Sequence, residues 1–214
     1  MFIWRNYFGP QARIIGVEFN PLAKYWEQDG FEIHIGSQSD PIFWQNFFKQ
    51  IGDVDIVLDD GGHTYEQQIV TAHECIPYIK NGGLLIVEDT HTSYFKSIGY
   101  PTKYSFIEWI NTLINKINDR FPAANVYNLP YKSSVFSISI FESIVSFKIN
   151  RKQCFESAPT ANNGASNNTQ DFRYHEIEDQ LSLISGAAKW LKKLKKSLAK
   201  RLAKFKIARL KQYF

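Results

Sequence analysis

Two short apolar runs, Val54–Leu58 and Leu84–Val87, each break off into acidic residues, and no other feature restricts the fold as strongly. The first run ends in Asp59-Asp60-Gly61-Gly62-His63, the second in Glu88-Asp89. Between them, Thr64–Ile79 reads as one helix, with Asn81-Gly82-Gly83 as its C-cap and turn. A strand–helix–strand unit of this kind builds a parallel sheet. Open α/β sheets bind their ligands beyond the carboxyl ends of the strands. Asp60, His63, Glu88 and Asp89 are therefore expected in one small volume. Three carboxylates held together repel unless a cation lies among them, and hard oxygen donors suit Mg²⁺ or Ca²⁺. A histidine beside such a site is a natural general base. Taken singly, "DDG" is only a turn signal and His63 a helix-capping or surface residue. It is the joint pattern, with Asp60 and Glu88 28 residues apart at matching strand ends, that points to metal-and-base chemistry.

The rest of the chain supplies a frame for that unit. Phe2–Phe8 looks like the end of a helix closed by Gly9-Pro10. Arg13–Phe19 reads as a strand, with Glu18 near its tip, and Asn20-Pro21 opens a helix through about Gln28. An acid at such a tip often accepts the ribose hydroxyls of a nucleotide-like cofactor, and its bland alternative is a solvated strand end. Phe31–Ile35 alternates as a strand, with His34 read as structural, and leads through Gly36-Ser37-Gln38-Ser39-Asp40 into an aromatic helix, Pro41–Gln50. Tyr94–Lys103 is a loop long enough to close over a site, and Tyr104–Phe121 is an amphipathic helix. Val135–Phe141 and Ile144–Ile149 read as an antiparallel hairpin around Glu142-Ser143. The domain organisation expected is a body over 1–150, a polar linker over 151–173 and a basic amphipathic helical tail over 174–214.

Charge separates tail from body. Eleven of the 25 Lys and Arg residues lie between Lys189 and Phe214, a stretch with no acid, which leaves 14 basic against 21 acidic residues elsewhere, a net of −7. An acidic body argues against a nucleic-acid partner. Cys75 and Cys154 give no disulfide framework and no zinc spacing, and no apolar run is long enough to span a membrane. With no signal-peptide pattern at Met1–Phe8, a cytoplasmic location is expected.

The strand, acid, helix and strand order resembles a class I S-adenosylmethionine-dependent methyltransferase, a Rossmann-like, mostly parallel α/β sheet with an antiparallel C-terminal hairpin. The wording "GVEFNP", "GSQSD", "VDIVLDDGGHTYEQQ", "NGGLLIVEDTHTSY" and "FSISIFESIVSFK" is similar to the Mg²⁺-dependent sugar O-methyltransferases of macrolide and tetracenomycin biosynthesis, over roughly residues 2–150. The resemblance implies that Asp60, Glu88 and Asp89 hold Mg²⁺ and that His63 takes the proton from the sugar hydroxyl being methylated. It implies that Glu18 binds the ribose of S-adenosylmethionine, that Ser37 and Gln38 lie near its adenine, and that Asp59 supports the cofactor or loop. The partner implied is a sugar-containing small molecule or a glycan.

This sequence departs from the pattern in two ways. Family members commonly carry Asp where Glu18 and Ser37 stand. The family's first strand and glycine-rich loop are expected before Phe2, and the early glycines Gly9 and Gly16 do not supply the loop. That strand lies centrally, so the expectation is either a chain incomplete at its N-terminus or a direct pairing of Arg13–Phe19 with Val54–Leu58. Two competing readings accompany the methyltransferase. One is a cephalosporin-hydroxylase-like or iron-dependent oxygenase using His63, Asp60 and His91; the other is an inactive remnant that binds through its tail.

The tail itself reads as a membrane-surface or partner-binding element, or as a helix packing on the body or on a second subunit. Its uncompensated charge predicts salt-sensitive binding to anionic vesicles, about 1 kcal/mol for each basic residue near the surface. Vesicle cosedimentation with and without residues 174–214 checks this, and unchanged binding after the deletion contradicts it.

Overall fold

The computed structural model describes residues 1–120, 131, 133–155 and 213. β1 (Ile15–Glu18) and β2 (Glu32–Ile35) form a parallel pair. β3 (Val54–Asp59), β4 (Ile79–Val87), β6 (Ile144–Ile149) and β5 (Val135–Phe141) form a second sheet, in that spatial order. β3 and β4 are parallel, while β6 runs antiparallel to both β4 and β5. The α/β class expected from the sequence holds, and the closing hairpin has the limits its alternation gives. The linker, apart from residues 151–155, and the tail, apart from Tyr213, lie outside the described residues. No helix among the described residues is long and apolar enough to cross a membrane.

Each helix is set by a local signal and a buried stripe. α1 (Phe2–Phe8) ends at Gly9, whose φ of 88° suits glycine. α2 (Pro41–Ile51) starts at Asp40, whose carboxylate accepts from the Ile42 N–H at 2.9 Å, with Pro41 fixing the first turn. It buries Trp44, Phe47, Phe48 and Ile51, the spacing of one helical face. α3 (Tyr65–Cys75) opens with a capping box between Thr64 and Gln67. α4 (Phe106–Asn118) is capped by Ser105 and buries Phe106, Trp109, Ile110 and Leu113 against the sheet core of Leu85, Val87, Val145 and Phe147.

Two sequence expectations are corrected. The helix expected to run to Ile79 stops at Cys75, because Pro77 has no N–H to continue the ladder; a single 3₁₀ turn, Ile76–Tyr78, follows. Asn81-Gly82-Gly83 is then no turn but part of β4. There the register jumps from Val54↔Ile79 to Ile56↔Leu84, so the extra residues form a bulge. Gly83 is required at this point, since a Cβ would lie 2.3 Å from the Asp55 carbonyl oxygen.

Of the two alternatives expected for the central strand, the direct pairing is not seen. β1 and β3 do not pair directly, and no described strand lies between them. Side chains rather than a backbone ladder link their surroundings: the Arg13 guanidinium donates to the Ile51 carbonyl at 3.0 Å, and Gln38 reaches the end of β3. A ladder needs strands about 4.8 Å apart, and the register pairs only β1 with β2 and β3 with β4.

Lys116 lies within the buried side of α4, 2% exposed, with its ammonium 5.1 Å from the Tyr131 ring centroid. Burial disfavours the charged form and draws its pKa from 10.5 down to about 8. Between those values the unfolded chain holds the proton that the folded chain has lost, so this group's contribution to stability rises as pH rises. Lys116→Met is therefore expected to be more stable than the parent at pH 7. The gap should shrink by about 3 kcal/mol towards pH 10.5, as read by urea unfolding at both pH values. A gap independent of pH would contradict the assignment.

Candidate active site at the strand ends

The site is built where β3 and β4 stop. Their parallel register ends at Asp59↔Val87, and the Glu88 N–H donates to the Asp59 carbonyl at 2.9 Å, carrying the ladder one residue further. Asp60 and Glu88 thus leave the sheet side by side. The loop after β3 brings His63 back over the same edge, with its Nε2 3.3 Å from Oδ2 of Asp89. Ligand atoms of Asp60, His63 and Asp89 all lie within 4.8 Å of one another. Glu88 stands outside that trio but within its field. Burial, and then the charges of Asp60 and Asp89, push its carboxyl above the usual range, against the pull of His63.

Asp89 holds its place in the left-handed region, φ 53°, which is uncommon for any residue but glycine and clusters at functional sites. The 3₁₀ turn Thr90–Tyr94 that follows is tied on three sides. The Thr90 N–H donates to the Ser143 carbonyl at 3.1 Å, and the Thr92 hydroxyl lies 3.0 Å from the His63 carbonyl oxygen and 2.8 Å from that of Asp89. His91 Nδ1 pairs with the Ser143 hydroxyl and sits 3.8 Å from Asp89 Oδ1. His91 is not one of the three residues that converge, so the geometry does not favour the iron-oxygenase reading. Tyr65 pins the loop beyond, its hydroxyl lying 3.2 Å from the Ser93 carbonyl and 2.6 Å from that of Tyr100.

The residues assigned to the cofactor divide into two groups. Glu18 is exposed at the end of β1 and Ser37 lies just past the end of β2, beside it; Glu18 pairs with Ile35, and the Gly36 N–H donates to the Glu18 carbonyl at 2.9 Å. Gln38 and Asp59 face inward instead. The Gln38 amide donates to Asp59 Oδ1 at 3.0 Å and accepts from the Gly62 N–H at 2.6 Å, so it is a strut between two loops. Asp59 is 7% exposed, and burial raises its pKa to about 6 although Gln38 and the Gly61 N–H favour the ionised form. Sequence reasoning did not find Gln38's bracing role, Thr92 or Ser143. The one local signal was Thr92 three residues past Asp89, the spacing of a capped turn.

Comparison with known proteins gives the site a context. Over 97 residues, 45% of this chain and 24% of the relative, the sequence is 36% identical to the 8-demethyl-8-(2-methoxy-alpha-L-rhamnosyl)-tetracenomycin-C 3'-O-methyltransferase of Streptomyces olivaceus. It is 28% identical over 100 residues to the L-olivosyl-oleandolide 3-O-methyltransferase of Streptomyces antibioticus, covering 47% of this chain and 25% of that one. The structure is similar to the MycE methyltransferase of the mycinamycin pathway in complex with Mg, SAH and mycinamycin VI. The TM-score is 0.63 at 21% identity, over 84% of this chain and 44% of that one. A second crystal form with Mg and SAH gives 0.65 at 19% identity, over 84% and 45%. The mixed α/β fold is thus like that of the MycE methyltransferase. The resemblance to sugar O-methyltransferases of tetracenomycin and macrolide pathways likewise stands. No protein-family model matches the chain. The chain spans about a quarter of the length of the curated relatives it matches.

The Gln38 strut generates a direct test. Gln38→Leu leaves Asp59 Oδ1 and the Gly62 N–H without this partner, and an unpaired buried polar group costs about 1–3 kcal/mol. Urea unfolding at pH 7 should show a loss of that size, and unchanged stability would contradict the bracing role.

Proposed function

We propose that this chain carries the metal- and base-bearing part of an O-methyltransferase that uses S-adenosylmethionine and Mg²⁺ to methylate a sugar hydroxyl. The observation that carries the reading is the convergence of Asp60, His63 and Asp89 within 4.8 Å at the ends of two parallel strands. The donor set fits the ion: carboxylate oxygens suit Mg²⁺, and Asp60 and Asp89 bring two of them within 4.8 Å of His63. Asp60, Glu88 and Asp89 would hold it. Bound Mg²⁺ supplies a Lewis acid that lowers the pKa of a sugar hydroxyl. The names of the relatives, which act on rhamnosyl and olivosyl groups, support a glycoside with neighbouring hydroxyls as the substrate class.

His63 is the general base on this reading. With Nε2–H given to Asp89, Nδ1 is the nitrogen that accepts the hydroxyl proton, and the Asp89 carboxylate stabilises the imidazolium formed. Oδ1 of the same carboxylate remains for the cation. Glu18 would accept the cofactor ribose hydroxyls, Ser37 and Gln38 would lie near the adenine, and Asp59 would support the loop. On this reading the protein works in the cytoplasm, with residues 174–214 against an anionic membrane surface, a role supported by the 11 uncompensated basic residues.

Transfer of labelled methyl groups from S-adenosylmethionine to rhamnosyl and olivosyl glycosides tests the assignment. Activity should require Mg²⁺ and vanish with a chelator. His63→Ala should lower turnover by about 10²–10⁴-fold while retaining divalent-cation binding. Undiminished turnover in a folded His63→Ala variant would eliminate His63 as the base.

A further inference from the structure

The residues assigned to the cation and the base sit on two separate segments, the loop 60–64 after β3 and the turn after β4. The sheet brings both segments to one edge, and side-chain contacts then hold His63 against Asp89. Gln68, 1% exposed on α3, donates to the Glu88 carbonyl at 3.1 Å and so fixes the ligand-bearing segment alone. Gly61 and Gly62 are tied back to Asp59 and Gln38, which fixes the near end of the base loop alone. Thr92 differs from both. Its side chain is in a residue only 5% exposed, and its Oγ1 lies 3.0 Å from the carbonyl oxygen of His63 and 2.8 Å from that of Asp89. One hydroxyl thus meets the backbone of both residues whose side chains face each other at 3.3 Å.

We propose that Thr92 is a positioning residue, a latch that sets the distance between the base His63 and the ligand Asp89. The proposal rests on the metal-and-base reading above for its consequence, though not for its geometry. The hydroxyl has one proton to share between these two carbonyls, and they do not depend on it equally. The Asp89 carbonyl also accepts from the Thr92 N–H at 3.0 Å, so it keeps a partner when the hydroxyl is removed. Among the described contacts, the Thr92 hydroxyl is the donor that the His63 carbonyl receives. Loss of the hydroxyl therefore releases the His63 carbonyl, in the middle of the base loop, and leaves the ligand turn folded. Partners of this outer kind orient first-contact ligands, and removing one commonly weakens metal binding by about 10–100-fold.

Manganese binding, read from the loss of the free-ion paramagnetic resonance signal, is the measurement. It is made on the full chain and on Thr92→Val, Thr92→Ser and Asp60→Asn, together with amide exchange over residues 60–64 and the thermal midpoint. Thr92→Val should bind manganese about 10–100-fold more weakly and exchange faster over 60–64. Thr92→Ser should recover both properties, and Asp60→Asn should lose manganese while keeping the loop protected. Thr92→Val indistinguishable from the parent in both measures overturns the latch. If the parent binds no manganese and Thr92→Val still loosens 60–64, the metal reading falls and the latch stands. Should Thr92→Val not fold, Thr92→Ala carries the same comparison.

Discussion

The parallel pairing of β3 with β4 is the constraint on which the rest depends. Its register ends at Asp59↔Val87 and continues by one bond, from the Glu88 N–H to the Asp59 carbonyl. That alignment brings two acidic segments out of the sheet at the same level. Every later feature of the site then manages negative charge gathered at one edge. The bulge around Gly83 belongs to the same ladder, since it absorbs the extra residues without shifting the pairs from Ile56↔Leu84 to Asp59↔Val87. A one-residue slip along this ladder would turn alternate side chains to the opposite face and part the acids from His63.

Holding the acids there works against stability. Glu88 is raised by burial and by its neighbours, Asp89 occupies a left-handed conformation, and Asp59 is buried with Oδ2 unpaired among the described contacts. Strain and like charge persist only where the surroundings over-determine them. Here that support comes from Gln38, Gln68, Thr92 and Ser143, polar side chains that meet backbone or other side chains of the site loops. Charge repulsion of this kind is relieved when a cation enters, which ties the structural cost to the proposed chemistry.

Much of this was legible in the sequence because it is local. Alternation marked the hairpin Val135–Ile149, aromatic spacing marked α2, and acids following apolar runs marked the strand ends. What escaped depends on partners distant in the chain. Pro77 ends α3 although the apolar spacing continues past it, and Gly82-Gly83 imitates a turn while it serves a bulge against Asp55. Gln38, set in a loop expected to meet a cofactor, also braces Asp59 across 21 positions of sequence. The separation of β1 from β3 was one of two outcomes that the resemblance allowed, and neither strand alone decides between them, because each has the composition of a paired strand. Likewise, nothing in the run Asp89-Thr90-His91-Thr92 announces that Thr92 reaches His63.

The central claim is that the ends of β3 and β4 form one divalent-cation site beside a base. A crystal of the chain soaked in manganese and measured at the metal's absorption edge tests it most directly. The account predicts one anomalous peak in contact with carboxylate oxygens of Asp60 and Asp89, at about 2.0–2.2 Å, with Glu88 turned in towards it. An empty strand-end cluster at saturating manganese, or an ion bound only elsewhere on the chain, would contradict it.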